Sequence, residues 1–317
     1  MRPPDGPARR VPGVSVGFMV WTAAEIPDLS GKTAIVTGAN SGIGMIAAGE
    51  LARRGATTVL ACRDTAKGEA ARSRMLAAGP KGSIEVRRLD LADLSSVREF
   101  AATVESDVDI LLNNAGVMAL PYRKTVDGFE MQFGTNHLGH FALTGLLLPR
   151  LRGRVVTVSS LVHVGGRMRF DDLNAERGYR RWSAYSQSKL ANLLFAYELE
   201  RRAGGRLTSV AAHPGYSSTN LQAAGPRMAG NKLAELGQTA FNALFAQSAE
   251  RGALPLLFAA TVPGLPGGSY VGPDGPFEVW GYPTIVNSSP ASKDEAAAAR
   301  LWEISEQLTN VSYSFAD

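Results

Sequence analysis

The feature that most constrains this chain is a short β-branched run, Thr33-Ala-Ile-Val-Thr37, that breaks into Gly38-Ala-Asn-Ser-Gly42-Ile-Gly44. Helical spacing follows from Ile43 to Arg54 and closes on Gly55. Strand, Gly-rich turn and helix open a βαβ unit, and a second apolar run, Thr57 to Cys62, completes it. The alternation continues, with strands expected at 84–89, 109–112, 154–158, 208–212 and 269–271. Helices are expected at 65–78, 95–104, 127–150, 185–202, 231–260 and 291–309. Strands separated by helices require a parallel sheet covered on both faces. The reading is therefore α/β, a doubly wound parallel sheet (Rossmann) in a single domain with substrate-loop insertions. That domain is expected over 25–317, with the Gly/Pro-rich 263–283 as a loop returning to the sheet edge. Residues 1–24 read as a disordered N-terminal extension, in which Met19 is a candidate start of translation.

Composition excludes several classes. With 317 residues, 45% of them hydrophobic, the chain has material for a core that needs no staple. A single cysteine, Cys62, forms neither an internal disulfide nor a cysteine-based zinc site, and the four histidines are scattered, so no metal is expected. The net charge is +4, with Arg2, Arg9 and Arg10 in the N-terminal tail and no Lys/Arg cluster elsewhere, which argues against nucleic acid. No apolar run reaches the roughly 18 residues of a membrane span, and a cytoplasmic protein is expected.

The Gly-rich turn lets backbone approach a pyrophosphate, and the helix start supplies amide donors. Its spacing differs from G-x-G-x-x-G, so the turn alone leaves a purely structural role open. Arg63 stands 19 residues after Gly44, at the end of the second strand, where a dinucleotide fold meets the adenosine ribose. A guanidinium there suits a 2′-phosphate, which favours NADP(H), while the neighbouring Asp64 keeps NAD(H) open. Tyr185 and Lys189 share one helix face, where an ammonium would lower a phenol pKa of about 10 in water, although simple surface packing gives the same spacing. Ser160 ends the strand 154–158, and its hydroxyl would donate to a carbonyl oxygen. It is not a hydrolase nucleophile, because no G-x-S-x-G elbow surrounds it. Asn136, within a helical stretch, would hold a water or kink the helix.

Together, Thr37-Gly38-x-x-x-Gly42-x-Gly44, Asp90-Leu91, Asn113-Asn114-Ala115-Gly116, Asn136, Ser160, Tyr185-x-x-x-Lys189 and Pro214-Gly215 resemble the short-chain dehydrogenase/reductase superfamily. The resemblance covers residues 28–262. Asn136-His-Leu-Gly-His-Phe141, Ser159-Ser-Leu-Val-His163 and Phe170-Asp-Asp-Leu-Asn174 are similar to its retinol dehydrogenase and protochlorophyllide-reductase-like branch. The resemblance implies a catalytic set in which Ser160 polarises the carbonyl, Tyr185 moves its proton and Asn136 holds a relay water. Lys189 would bind the nicotinamide ribose and lower the tyrosine pKa. Implied cofactor contacts are Gly38, Asn40, Ser41, Gly42, Ile43 and Gly44 around the phosphates, and Arg63 at the 2′-phosphate. Asp90 and Leu91 would lie at the adenine, and Asn114, Ala115 and Gly116 at its ribose. Pro214, Gly215 and Thr219 would meet the nicotinamide amide, and Tyr185 counts with Lys189 among the contacts.

Ser160 and Tyr185 lie 25 residues apart, so an insertion carrying Arg167, Arg169, Asp171, Asp172, Arg177, Arg180 and Arg181 is expected beside the pocket as a solvated lid. The implied function is hydride transfer between NADP(H) and an apolar alcohol or carbonyl substrate, in a homodimer or homotetramer. The alternatives are a non-catalytic dinucleotide sensor or scaffold, and a C=C reductase on the same fold.

Overall fold

The computed structural model describes residues 20–216 and 247–315. Among the described residues eight strands form one sheet: β1 Thr33–Thr37, β2 Thr57–Cys62, β3 Ile84–Arg88, β4 Val108–Asn113, β5 Leu151–Val158, β6 Thr208–Ala212, β7 Tyr270–Pro273 and β8 Pro283–Ile285. Their order is β3-β2-β1-β4-β5-β6-β7-β8, and every neighbouring pair is parallel except β7–β8. The chain winds outward from β1 to β3, then returns to place β4 on the other side of β1. The carboxyl ends of β1 and β4 therefore diverge at a switch point, where an open α/β sheet leaves its crevice.

Around the sheet pack α1 Gly42–Arg53, α2 Thr65–Ala77, α3 Leu94–Ala102, α4 Met131–Phe133, α5 Gly139–Leu147, α6 Arg181–Ala203, α7 Ala249–Thr261 and α8 Glu295–Thr309. One face buries Val36, Leu60, Val156 and Val210 against α1 and α7, where Ala47, Ala48 and Ala52 let α1 lie close to the strands. The other face sets Ile35, Leu111 and Val155 against Phe141, Phe195 and Trp302 from α5, α6 and α8. Each such side chain contributes roughly 1.5–3 kcal/mol by leaving water. The expected doubly wound sheet is the one observed.

Three details differ from the sequence reading. The first 19 residues lie outside the described part, but 20–24 are no loose extension: Trp21 meets the Phe258 ring edge-on at 5.3 Å, and Thr22 and Glu25 close a capping box on a short turn. The loop over 263–283 does return to the sheet edge as expected, but it closes a β7–β8 hairpin whose second strand, of three residues, was not expected. The helix expected over 127–150 is interrupted by a π-turn, Gly134–Leu138, centred on Asn136. Of the helix expected over 231–260, only α7 lies within the described residues. Among the described residues no helix is long and apolar enough to cross a membrane.

Candidate functional site

Two turns meet at the switch point. Gly38 takes φ +66° directly after β1, a left-handed conformation open to glycine, and a Cβ there would press on Ala115 at 3.0 Å. A Cβ on Gly44 would run into the Asn114 side-chain amide and the Gly38 carbonyl. The first turn of α1 is thus packed against the turn after β4. Asn114 Nδ2 donates to the Thr37 carbonyl at 2.7 Å, while its Oδ1 is buried without a hydrogen-bond partner. Ser41 precedes α1 in extended conformation and makes no side-chain cap, so the amides that open the helix are not satisfied by it.

The long helix α6 carries Tyr185 and Lys189 on its inner face, 4% and 3% exposed. Lys189 Nζ donates to the Val158 carbonyl at 3.1 Å and stands 5.7 Å from the centre of the Tyr185 ring. Asn192 donates to the same carbonyl at 2.9 Å, and Ser159 Oγ donates to the Lys189 carbonyl at 2.8 Å, so α6 is pinned to the end of β5. This attachment sets Ser160, the next residue, against the Tyr185 side chain. Behind Ser160, His163 Nδ1 donates to its carbonyl at 2.7 Å, and His163 Nε2 accepts from the Ser289 amide at 3.1 Å.

Asn136 completes the group. Its Oδ1 accepts from the Val117 amide at 2.8 Å, and its Nδ2 donates to the Val117 carbonyl and to Ser188 Oγ, both at 2.9 Å. Two groups close on Gly116: a Cβ there would sit 3.1 Å from Asn136 Oδ1 and 3.6 Å from Lys189 Nζ. Asn136, Ser160, Tyr185 and Lys189 are thus brought together beside the Gly38 and Gly116 turns. The π-turn is the helix irregularity that the asparagine suggested.

The electrostatics depart from one expectation. Burial pushes the Tyr185 phenol up to about 12, eased only partly by Ser160, rather than down. Burial also lowers Lys189 to about 8. The physical reason is desolvation, which disfavours tyrosinate and ammonium alike. Near neutral pH Tyr185 is therefore a neutral phenol.

Other expected residues are placed less centrally. Arg63 is exposed after β2, and Asp64 is engaged as the N-cap of α2, accepting from the Lys67 amide at 3.0 Å and pairing with its ammonium at 2.9 Å. Asp90 Oδ1 accepts from the Ala92 amide at 3.0 Å, and Leu91 is buried beside Gly139. Pro214 and Gly215 follow β6, with Gly215 at φ +62° and its amide donating to His213 Nδ1 at 3.3 Å. Thr219 and the rest of 217–246 lie outside the described residues.

The insertion expected as a solvated lid is tied down by hydrogen bonds. Asp172 accepts from the amides of Glu176 and Arg177 at 2.8 and 3.2 Å, Asn174 Oδ1 accepts from the Glu130 amide at 2.9 Å, and Lys124 pairs with Glu176 at 2.7 Å. Its charges are nonetheless mostly solvated, as at Arg177 and Asp171. The sequence reading missed His140 and His163 as parts of the site. Their positions within Asn136-His-Leu-Gly-His-Phe141 and Ser159-Ser-Leu-Val-His163 were the available pointers.

The family model described as short chain dehydrogenase matches residues 32–229. The chain belongs to the short-chain dehydrogenase family. It is 44% identical over 299 residues to human retinol dehydrogenase 13, a match covering 89% of this chain and 86% of that protein. Mouse retinol dehydrogenase 14 is 40% identical over 306 residues, covering 89% and 87%. A crystal structure of an uncharacterized protein from Mycobacterium paratuberculosis superposes with a TM-score of 0.78 at 52% identity, covering 93% of this chain and all of that one. The chain is a hydride-transfer oxidoreductase of the retinol dehydrogenase-like branch, and the family's cofactors are nicotinamide dinucleotides. The residues present suit such a group, given the uncapped start of α1, the turns that leave no room for a Cβ at Gly38 and Gly44, and the unpartnered Asn114 Oδ1.

Proposed function

We propose that this enzyme interconverts an apolar alcohol and the corresponding aldehyde or ketone with NADP(H), using Tyr185 as acid and base. The observation that carries the reading is the convergence of half-buried Ser160 with buried Tyr185, Lys189 and Asn136 beside the Gly116 turn that follows β4. When bound, the nicotinamide supplies the hydride that adds to the carbonyl carbon. Ser160 and Tyr185 hydrogen-bond the carbonyl oxygen, and Tyr185 donates its proton to it as negative charge develops. In the alcohol-oxidising direction the same phenol oxygen takes the proton back. Lys189, held by the Val158 carbonyl, sets the field around the phenol and would hold a ribose hydroxyl of the cofactor. Preference for NADP(H) is supported by the exposed Arg63 beside an Asp64 already engaged by Lys67. The apolar substrate class is supported by the names of the relatives. The test is Tyr185→Phe, screened with alcohols and aldehydes by nicotinamide absorbance. Turnover should fall by about a hundredfold or more while NADPH affinity holds within about threefold. Full activity in that variant would remove the proton-transfer role.

A further inference from the structure

His140, the second residue of α5, is 1% exposed and touches two parts of the site at once. Its Nδ1 lies 3.0 Å from the Asn136 carbonyl oxygen. A carbonyl only accepts, so Nδ1 carries the ring proton. Burial draws the ring pKa down to about 4, so the imidazole is neutral and Nε2 keeps its lone pair. Thr37 Oγ1, 2.9 Å away, must then donate to Nε2. With its proton used, Thr37 Oγ1 accepts from the Asn114 and Ala115 amides, each at 2.9 Å. Without the imidazole, the Thr37 proton would turn to the Leu112 carbonyl at 3.3 Å. The Asn136 side chain is locked separately through Val117 and Ser188. What His140 adds is therefore the direction of the Asn136 peptide carbonyl within the π-turn on one side and the direction of the Thr37 hydroxyl on the other.

We propose that His140 is a positioning residue that joins the cofactor-side turn, through Thr37, to the Asn136 carbonyl through opposite edges of one ring. This rests on the dehydrogenase reading above, and the two links are separable. His140→Asn places a donor at the Nδ1 level and keeps the Asn136 link, whereas His140→Gln places an acceptor at the Nε2 level and keeps the Thr37 link. In His140→Gln, kcat should fall about tenfold with NADPH affinity within about threefold of the parent. In His140→Asn, kcat should be largely kept while NADPH binds about five- to tenfold more weakly by fluorescence titration. Adding His140→Asn to a Thr37→Val background should weaken NADPH no further, since the shared bond is already gone. Parallel loss of kcat and affinity in both histidine variants, or parental behaviour in both, overturns the proposal, as do additive affinity losses in the double variant. If His140→Gln does not fold, the Thr37 binding cycle decides alone. That cycle needs no turnover, so a chain inactive on every alcohol and carbonyl would defeat the dehydrogenase reading without obscuring the His140 result.

Discussion

Arg63 leaves β2 with its side chain exposed and, among the described residues, no carboxylate paired with it. The acid beside it is unsuited to a ribose diol, because Asp64 spends one oxygen on the Lys67 amide and the other on its ammonium, which holds its carboxyl below the usual range. A guanidinium that loses a phosphate partner forfeits charge-assisted hydrogen bonds worth about 1.5–3 kcal/mol. Arg63→Ala is therefore expected to weaken NADPH by about 10- to 100-fold and to leave NADH nearly unchanged, as read by parallel fluorescence titrations. Equal losses for both nucleotides would remove the phosphate role. Lys189 gives a second prediction at this scale. Its amine loses its proton as pH rises through about 8, so the rate of carbonyl reduction should decline there. Lys189→Met should erase that limb of the pH–rate profile along with most of the activity, and an unchanged profile would assign the limb to another group. Arg63 and the Tyr185–Lys189 spacing were visible in the sequence because each depends on neighbours within one element. The upward shift of the tyrosine was not, since it arises from burial of α6 against β5 and the turn that follows it, which meet only in the folded chain.

Elements were legible wherever local pattern and tertiary packing agree. β1, β2 and β6 fall where β-branched and small apolar residues run between turn residues, because each is buried from both sides and needs no alternation. The three-residue β8 escaped notice: with prolines at 273 and 283 on either side of the hairpin, it pairs on one edge only and carries almost no periodic signature. The π-turn was hidden for another reason. The residues Gly134–Leu138 keep helical dihedrals at their borders, and what distinguishes them is the shift of the Gly139 amide to the Gly134 carbonyl. The start of the domain was placed too late because Trp21 and Thr22 look like tail in isolation. They become part of the fold only when Arg54 reaches across to the Ala23 carbonyl at 2.9 Å and Phe258 receives the indole. Trp21→Ala should accordingly destabilise the protein by about 1–2 kcal/mol, measured by urea denaturation. No change in midpoint would show that the N-terminal turn merely lies on the surface.

At the scale of the whole molecule, α5 is enclosed by the C-terminal part of the chain, and two histidines are sealed beneath that closure. Trp302 meets Phe141 edge-on at 5.2 Å, Tyr313 donates to the Phe141 carbonyl at 2.6 Å, and His137 donates from Nε2 to Ser305 at 2.8 Å, since the Ser305 proton is committed to the Leu301 carbonyl. His137 Nδ1 has no partner and sits among Phe133, Phe141 and Phe195. Burial draws His137 down to about 3 and His140 to about 4. As pH falls below the ordinary histidine value near 6.5, the unfolded chain takes up these two protons while the folded chain does not, so stability is lost progressively toward pH 4. Between pH 7 and pH 5 the two rings together should remove about 3–4 kcal/mol, a large share of the 5–15 kcal/mol typical of a domain. Asp28 and Asp93, whose depressed carboxyl pKa values work in the same sense, act only below the ordinary aspartate range and so outside this window. Buried Glu130 has a raised pKa and opposes the trend, but its contribution cancels when variants are compared on one background. His137→Leu fills the aromatic pocket without a titrating group and leaves Ser305 its bond to Leu301. That variant should stay within about 2 kcal/mol of the parent at pH 7 and show about half the loss on going to pH 5. A slope of unfolding free energy against pH that is the same in both proteins would mean that His137 does not remain neutral in the folded molecule.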